Sequence, residues 1–90
     1  MSISRNVEIV NKLGMHARAA AQFVQVASNF RSQIEIEKDN RRVNGKSIMG
    51  VMMLAASKGS EITLHADGED EAESIDSLEA LIKNRFNEEE

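Results

Sequence analysis

Polar and apolar residues alternate at three places in the chain. At three others the apolar positions recur every three or four residues. Over residues 3–10, Ile3, Arg5, Val7 and Ile9 share one side of an extended segment, with Asn6, Glu8 and Val10 on the other. Gln33-Ile34-Glu35-Ile36-Glu37 is the cleanest such segment, its isoleucines facing a core and its polar residues facing water. Residues 60–66 alternate again, burying Ile62, Leu64 and Ala66, and Asp67-Gly68 ends the strand. The helical segments lie between and after these. Ala17, Ala20, Ala21, Val24 and Ala27, with Phe23, line one face of a helix from about His16 to Ser28, ending near Asn29. Ile48, Val51, Met52 and Leu54 supply the apolar positions of a shorter helix, which Ser47 is placed to cap and Lys58-Gly59 stops. A last helix, about Asp70 to Phe86, carries Ala72, Ile75, Leu78, Ile82 and Phe86 on one stripe. Its acids lie in the first turn and Lys83 and Arg85 in the last, as the helix dipole prefers. Lys38-Asp39-Asn40-Arg41 reads as a hairpin turn into a short strand around 42–44.

The order is therefore β-α-β-β-α-β-α. It predicts an α+β fold: an open-faced two-layer β-sandwich with helices on one sheet face and water on the other. Spacing leaves the strand order open, since a ferredoxin-like sheet uses nearly the same pattern. Ninety residues make one domain, 1–90, without linker or repeat, and the acidic run 87–90 is expected to fray.

Composition narrows the possible functions. The chain has no cysteine, which excludes a disulfide framework and a thiolate metal site and favours a reducing compartment. No apolar run reaches membrane-spanning length, and Met1-Ser2-Ile3-Ser4-Arg5-Asn6 lacks the apolar stretch of a signal peptide; the expected location is the cytoplasm, without membrane insertion. A net charge of −4 and only three aromatics, all Phe, argue against binding nucleic acid. With no proline, turns must be made by Gly, Asn, Asp and Ser, which the sequence supplies.

The candidate chemistry centres on His16, within Asn11-Lys12-Leu13-Gly14-Met15-His16-Ala17-Arg18-Ala19-Ala20-Ala21. Gly14 allows a sharp turn, and the first helix begins directly after it. The imidazole therefore sits at a helix N-terminus, where backbone N–H groups lack intrahelical partners and the dipole is positive. Such an end binds phosphate, and it favours a ring nitrogen that is unprotonated and nucleophilic. Arg18 can offer a fork of donors to phosphate oxygens, and no carboxylate lies nearby in sequence to neutralise the pair. A histidine placed this way can accept a phosphoryl group and hand it on. On the second helix, Ile48, Met49, Val51, Met52, Met53 and Leu54 point in too many directions for one short helix to bury, so some must face outward as a docking patch. His65 falls on the outward face of its strand and is read as solvated; with no clustered third ligand, no metal site is expected with His16.

Two stretches together resemble the HPr family, the histidine-containing phosphocarriers of the bacterial phosphotransferase system. Gly14-Met15-His16-Ala17-Arg18-Ala19-Ala20 is similar to the active-site signature. Gly45-Lys46-Ser47-Ile48-Met49-Gly50-Val51-Met52, followed by Lys58-Gly59, is similar to the family's regulatory serine region. The start of the last helix, Gly68-Glu69-Asp70-Glu71-Ala72, also fits, so the resemblance spans nearly the whole chain. It implies an antiparallel four-stranded sheet of order 1-4-2-3 beneath three helices. It also implies phosphorylation of His16 on Nδ1 by Enzyme I, at the expense of phosphoenolpyruvate, with Arg18 steadying the phosphate. Phosphate would pass on to an Enzyme IIA domain, for sugar uptake or for the nitrogen-related branch, with no metal or cofactor. By the same resemblance Ala17, Ala20, Ala21, Ile48, Met49 and Met52 form the contact ring around His16, Ser47 is the target of an HPr kinase/phosphorylase, and the protein is a monomeric carrier rather than a stand-alone catalyst. The alternative is a regulatory interaction module of the same fold, switched by phosphorylation of Ser47. One position departs from the signature: Ala19 stands where the family usually has proline, adding unfolded-state entropy worth ~0.4–1 kcal/mol.

Overall fold

The computed structural model describes residues 2–89. Its elements follow the predicted order: β1 (Ser2–Glu8), α1 (Ala17–Ala27), β2 (Gln33–Lys38), β3 (Arg41–Asn44), α2 (Ile48–Met53), β4 (Glu61–Asp67) and α3 (Glu71–Lys83), then a single 3-10 turn, Arg85–Asn87. All strand pairs are antiparallel and the sheet order is β1-β4-β2-β3. Spacing had left that order open, and it is the one the resemblance implied. Register aligns the alternating patterns into rows that cross the sheet. Ile3 faces Ala66, which faces Ile34; Arg5, Leu64, Ile36 and Val43 make the next row. Ile34, Ile36, Ile62, Leu64 and Ala66 are buried beneath Phe23, Ile75, Leu78 and Ile82 of the helices. Each large side chain so covered contributes ~1.5–3 kcal/mol of hydrophobic stabilisation. Arg5 escapes this row: its guanidinium reaches Asp76 at 2.6 Å and Glu79 at 2.9 Å, clamping α3 over β1.

The hairpin turn forms as expected, with Asp39 and Asn40 both left-handed, the requirement of a tight two-residue hairpin loop. Several boundaries differ from the pattern-based expectation, and β1 ends at Glu8 rather than Val10. α2 ends at Met53 rather than near Lys58-Gly59, because Leu54 turns into the core and Ala55 takes φ +52. α3 ends at Lys83 rather than Phe86; Arg85, Phe86 and Asn87 are consecutively left-handed, and that turn swings Phe86 into the core. In the acidic run 87–90, the Glu88 side chain is hydrogen-bonded to Asn11 and His16, and Glu90 lies outside the described residues. On the helix stripes, Ala17, Ala21 and Ala72 are exposed, while Ala19 and Ala20 take the inward places on α1.

Candidate functional site

The site is built on the loop that leads from β1 into α1. Asn11 is fully buried, and its side-chain amide donates to the Gly14 carbonyl at 2.8 Å. The Gly14 N–H returns a bond to the Asn11 carbonyl at 3.2 Å, closing a tight loop. Gly14 adopts φ +68, and a Cβ there would stand 2.5 Å from the Ala56 carbonyl oxygen. Only glycine fits. The next N–H, of Met15, donates to that same carbonyl at 2.8 Å, and the Met15 side chain anchors in the core.

This leaves His16 as the N-cap of α1, in extended conformation, with its carbonyl accepting the first intrahelical bond from Ala20 at 2.8 Å. Its ring Nδ1 accepts from the Arg18 N–H at 3.3 Å, in the way an N-cap oxygen would. Nδ1 therefore carries a lone pair, and in the neutral ring the hydrogen is on Nε2. Nε2 faces the carboxylate of Glu88. The His16 side chain is 28% exposed, so the ring is held on both sides yet open to an incoming group.

Glu88 comes from the far end of the chain. Its other carboxylate oxygen accepts from the Asn11 amide at 3.0 Å, so one buried asparagine ties the loop to the C-terminal segment. Burial is the largest single influence on this carboxyl and would push it up. Hydrogen bonds from Asn11 and His16, with the positive charges on His16 and Arg18, together outweigh burial and leave it below the ordinary glutamate range. Asn11 Oδ1 is buried without a partner among the described residues. Sequence reasoning missed both Asn11 and Glu88. Asn11 carries no local signal beyond being a loop asparagine, and the separation of 72 positions from His16 to Glu88 leaves none at all.

The remaining candidates divide by exposure. Arg18 is exposed on the first turn of α1 and makes no ion pair among the described residues, which leaves its guanidinium available to an anion. Ala17 and Ala21 are exposed, but Ala20 is fully buried in the core. Ala20 is thereby removed from the expected contact ring, because helical phase points it at the sheet. Ile48, Met49, Met52 and Met53 are exposed on α2, while Val51 and Leu54 are buried. The division expected of that helix holds, and Leu13, in the loop before His16, adds a further exposed apolar residue. Ser47 caps α2, its hydroxyl accepting from the Gly50 N–H at 3.1 Å. His65, expected to be solvated, instead pairs with Glu37 at 2.8 Å on the outer sheet face. No group of three or more His, Asp or Glu gathers to hold a metal ion among the described residues, and no helix is long and apolar enough to cross a membrane.

The family signature described as "PTS HPr component phosphorylation site" matches residues 3–84. A phosphocarrier protein HPr from Cupriavidus necator is 56% identical over 86 residues, covering 96% of this chain and 97% of its own length. Among solved structures, HPr-C-His from Thermoanaerobacter tengcongensis superimposes with a TM-score of 0.94 at 53% identity, covering 98% of this chain and 99% of its own. An HPr dimer from the same organism gives a TM-score of 0.78 at 56% identity, covering 91% and 94%.

Proposed function

The chain belongs to the HPr family, the phosphocarriers of the phosphotransferase system, and from that premise we propose that His16 Nδ1 is the atom that receives the phosphoryl group. The protein is a carrier rather than a stand-alone catalyst, and the family's partners are Enzyme I and Enzyme IIA domains. In the transfer, the Nδ1 lone pair attacks phosphorus as the donor's bond to phosphorus breaks, and the donor leaves with that electron pair. The observation that carries this reading is the orientation of the ring: Nδ1 faces the helix N-terminus, its lone pair accepting from the Arg18 N–H, and Nε2 faces a carboxylate. Oxygens of the arriving phosphate can take over the Arg18 N–H and other first-turn amides, whose orphan donors and positive dipole favour an anion. The exposed Arg18 guanidinium supplies further donors. A half-open site of this kind holds phosphate by a few hydrogen bonds, which suits a group that must leave again.

The apolar surface of Ile48, Met49 and Met52, with Ala17 and Ala21 of the neighbouring helix, is read as the face on which Enzyme I and Enzyme IIA domains dock in turn; methionine adapts to more than one partner. Ser47 is read as the target of an HPr kinase/phosphorylase, where added phosphate would meet the start of α2 and repel acidic partner surfaces. The protein is placed in the cytoplasm as a single-domain monomer; the dimer of the Thermoanaerobacter homologue makes molar mass in solution the check on the last point. A purely regulatory module switched at Ser47 is not favoured, since the signature matched is that of a phosphorylation-site component. Incubation with phosphoenolpyruvate and the cognate Enzyme I should add one acid-labile phosphoryl group by mass, and His16→Ala should remove the modification. An unmodified wild type would refute the assignment.

A further inference from the structure

We infer that Glu88 is the positioning residue of the relay: it keeps a proton on His16 Nε2 through both halves of the cycle, so that Nδ1 is nucleophile when phosphate arrives and part of a neutral leaving group when phosphate departs. The inference rests on His16 being the acceptor. Two observations carry it. The Glu88 carboxylate meets Nε2 while Nδ1 accepts from the Arg18 N–H, so the two ring nitrogens are sorted into donor and acceptor by two different parts of the fold. The carboxylate is itself fixed. Asn11 donates to its other oxygen, fully buried Phe86 anchors the turn before it, and Asn87 reaches Gln22 of α1 at 3.3 Å.

The chemistry follows from counting protons. A neutral imidazole with its hydrogen on Nε2 attacks phosphorus through Nδ1, and the N–P bond that forms leaves positive charge on the ring. A carboxylate at Nε2 stabilises that charge and holds the proton in place. In the outward step the Nδ1–P bond breaks and its electron pair returns to Nδ1, giving the same neutral imidazole. Had Nε2 lost its proton, the leaving group would be imidazolate, and the phosphate would be stranded. No proton need move in either direction. Among the described residues, the charged groups shown to act at the ring and its partner are Arg18 on α1 and Glu88 on the C-terminal segment; Lys12 and Glu89 border a shallow cleft with Leu13 and Glu88. α2 carries no titratable side chain. Glu88 alone among these is hydrogen-bonded to Nε2.

The test uses the full chain with Glu88→Gln and Glu88→Ala, both at a part-exposed tail position, with thermal unfolding as the check on folding. Two readouts separate the roles. Nitrogen-15 NMR of the unphosphorylated, neutral His16 ring reports which nitrogen carries hydrogen: the wild type should be dominated by the Nε2–H form and Glu88→Ala should drift toward a mixture. This measurement does not depend on phosphorylation. The second readout is phosphate loss from the phosphorylated proteins against pH. Loss of the carboxylate should move the pH at which the phosphoform becomes resistant down by about one unit, the scale of one charge-assisted hydrogen bond. Transfer from Glu88→Gln to an Enzyme IIA domain should slow several-fold above neutral pH and recover in mild acid. Unchanged tautomer and unchanged pH profile in both variants would overturn the role of Glu88. Phosphate found on a residue other than His16 would overturn the assignment beneath it.

Discussion

Ala55 sits at φ +52 directly after the C-cap of α2, a left-handed position that helix ends normally give to glycine. Its N–H donates to the Met52 carbonyl at 3.0 Å, so the conformation is fixed by the helix end and not by its own side chain, which is exposed. An alanine held there costs ~1–2 kcal/mol because Cβ crowds the following carbonyl. Glycine removes that cost but enlarges the unfolded ensemble, returning ~0.4–1 kcal/mol. Ala55→Gly should therefore stabilise by roughly 0.5–1 kcal/mol. In a domain of this size that raises Tm by about 3–6 °C. Thermal unfolding by circular dichroism and a urea titration, with unchanged denaturant slope, would measure it. Ala55→Val is the counter-experiment: a β-branched side chain in the same conformation should destabilise. If glycine proves neutral or worse while the fold is unchanged, the strain assigned to this turn is not there.

Gly14→Ala should lose at least ~2 kcal/mol, from left-handed strain plus a Cβ that stands 2.5 Å from the Ala56 oxygen and 2.8 Å from Ser57 Cα. Phosphorylation by Enzyme I should slow with it, because the loop that aims His16 must shift; wild-type stability in a urea titration would contradict this. Asp70 is an acid-sensitive point of the fold. Its carboxylate accepts from the Ser32 hydroxyl and from the Arg31 and Ser32 N–H groups, which hold it at about 2 against an ordinary 3.8. A depressed carboxyl stabilises the fold above its unfolded value, so this contribution is complete above about pH 4 and disappears as pH falls toward about 2. Asp70→Asn should lower Tm at neutral pH and flatten that acid limb, and parallel limbs in wild type and variant would count against it.

How far the sequence reveals this molecule depends on how local each signal is. Strand alternation was legible because burial of one sheet face writes a period of two directly into the residues, and rows such as Ile3, Ala66 and Ile34 confirm it. His16 and Arg18 were legible because a helix start follows a turn-forming glycine within a few residues, and Ser47 because an N-cap is a local feature. Phase within a helix was read less well. Ala20 and Ala21 are equally apolar, so composition cannot tell which one points at the sheet, and the structure buries Ala20. Phe86 shows a second gap. Its spacing after Ile82 matches a continuing helix, yet it reaches the core through three left-handed residues. Periodicity reports that a side chain is buried, whatever the handedness of the backbone that buries it. Glu88 was illegible for a simpler reason, since nothing near it in sequence distinguishes it from Glu89.

What sets the site is therefore the placement of α3, an element that contributes no side chain to it. Arg5 clamps its middle over β1 through Asp76 and Glu79, and Asp70 ties its start to the turn between α1 and β2. The last turn then delivers Phe86 to the core and Glu88 to His16. A residue inserted between Glu79 and Lys83 would rotate everything beyond it by roughly 100°. The clamp at Arg5 would survive that change, and the Phe86 ring and the Glu88 carboxylate would both leave their places. The imidazole would keep its bond from the Arg18 N–H and lose its partner at Nε2. The length of α3 is thus a determinant of the chemistry at a histidine on the opposite side of the chain order, and it acts through the register of one helix against one strand.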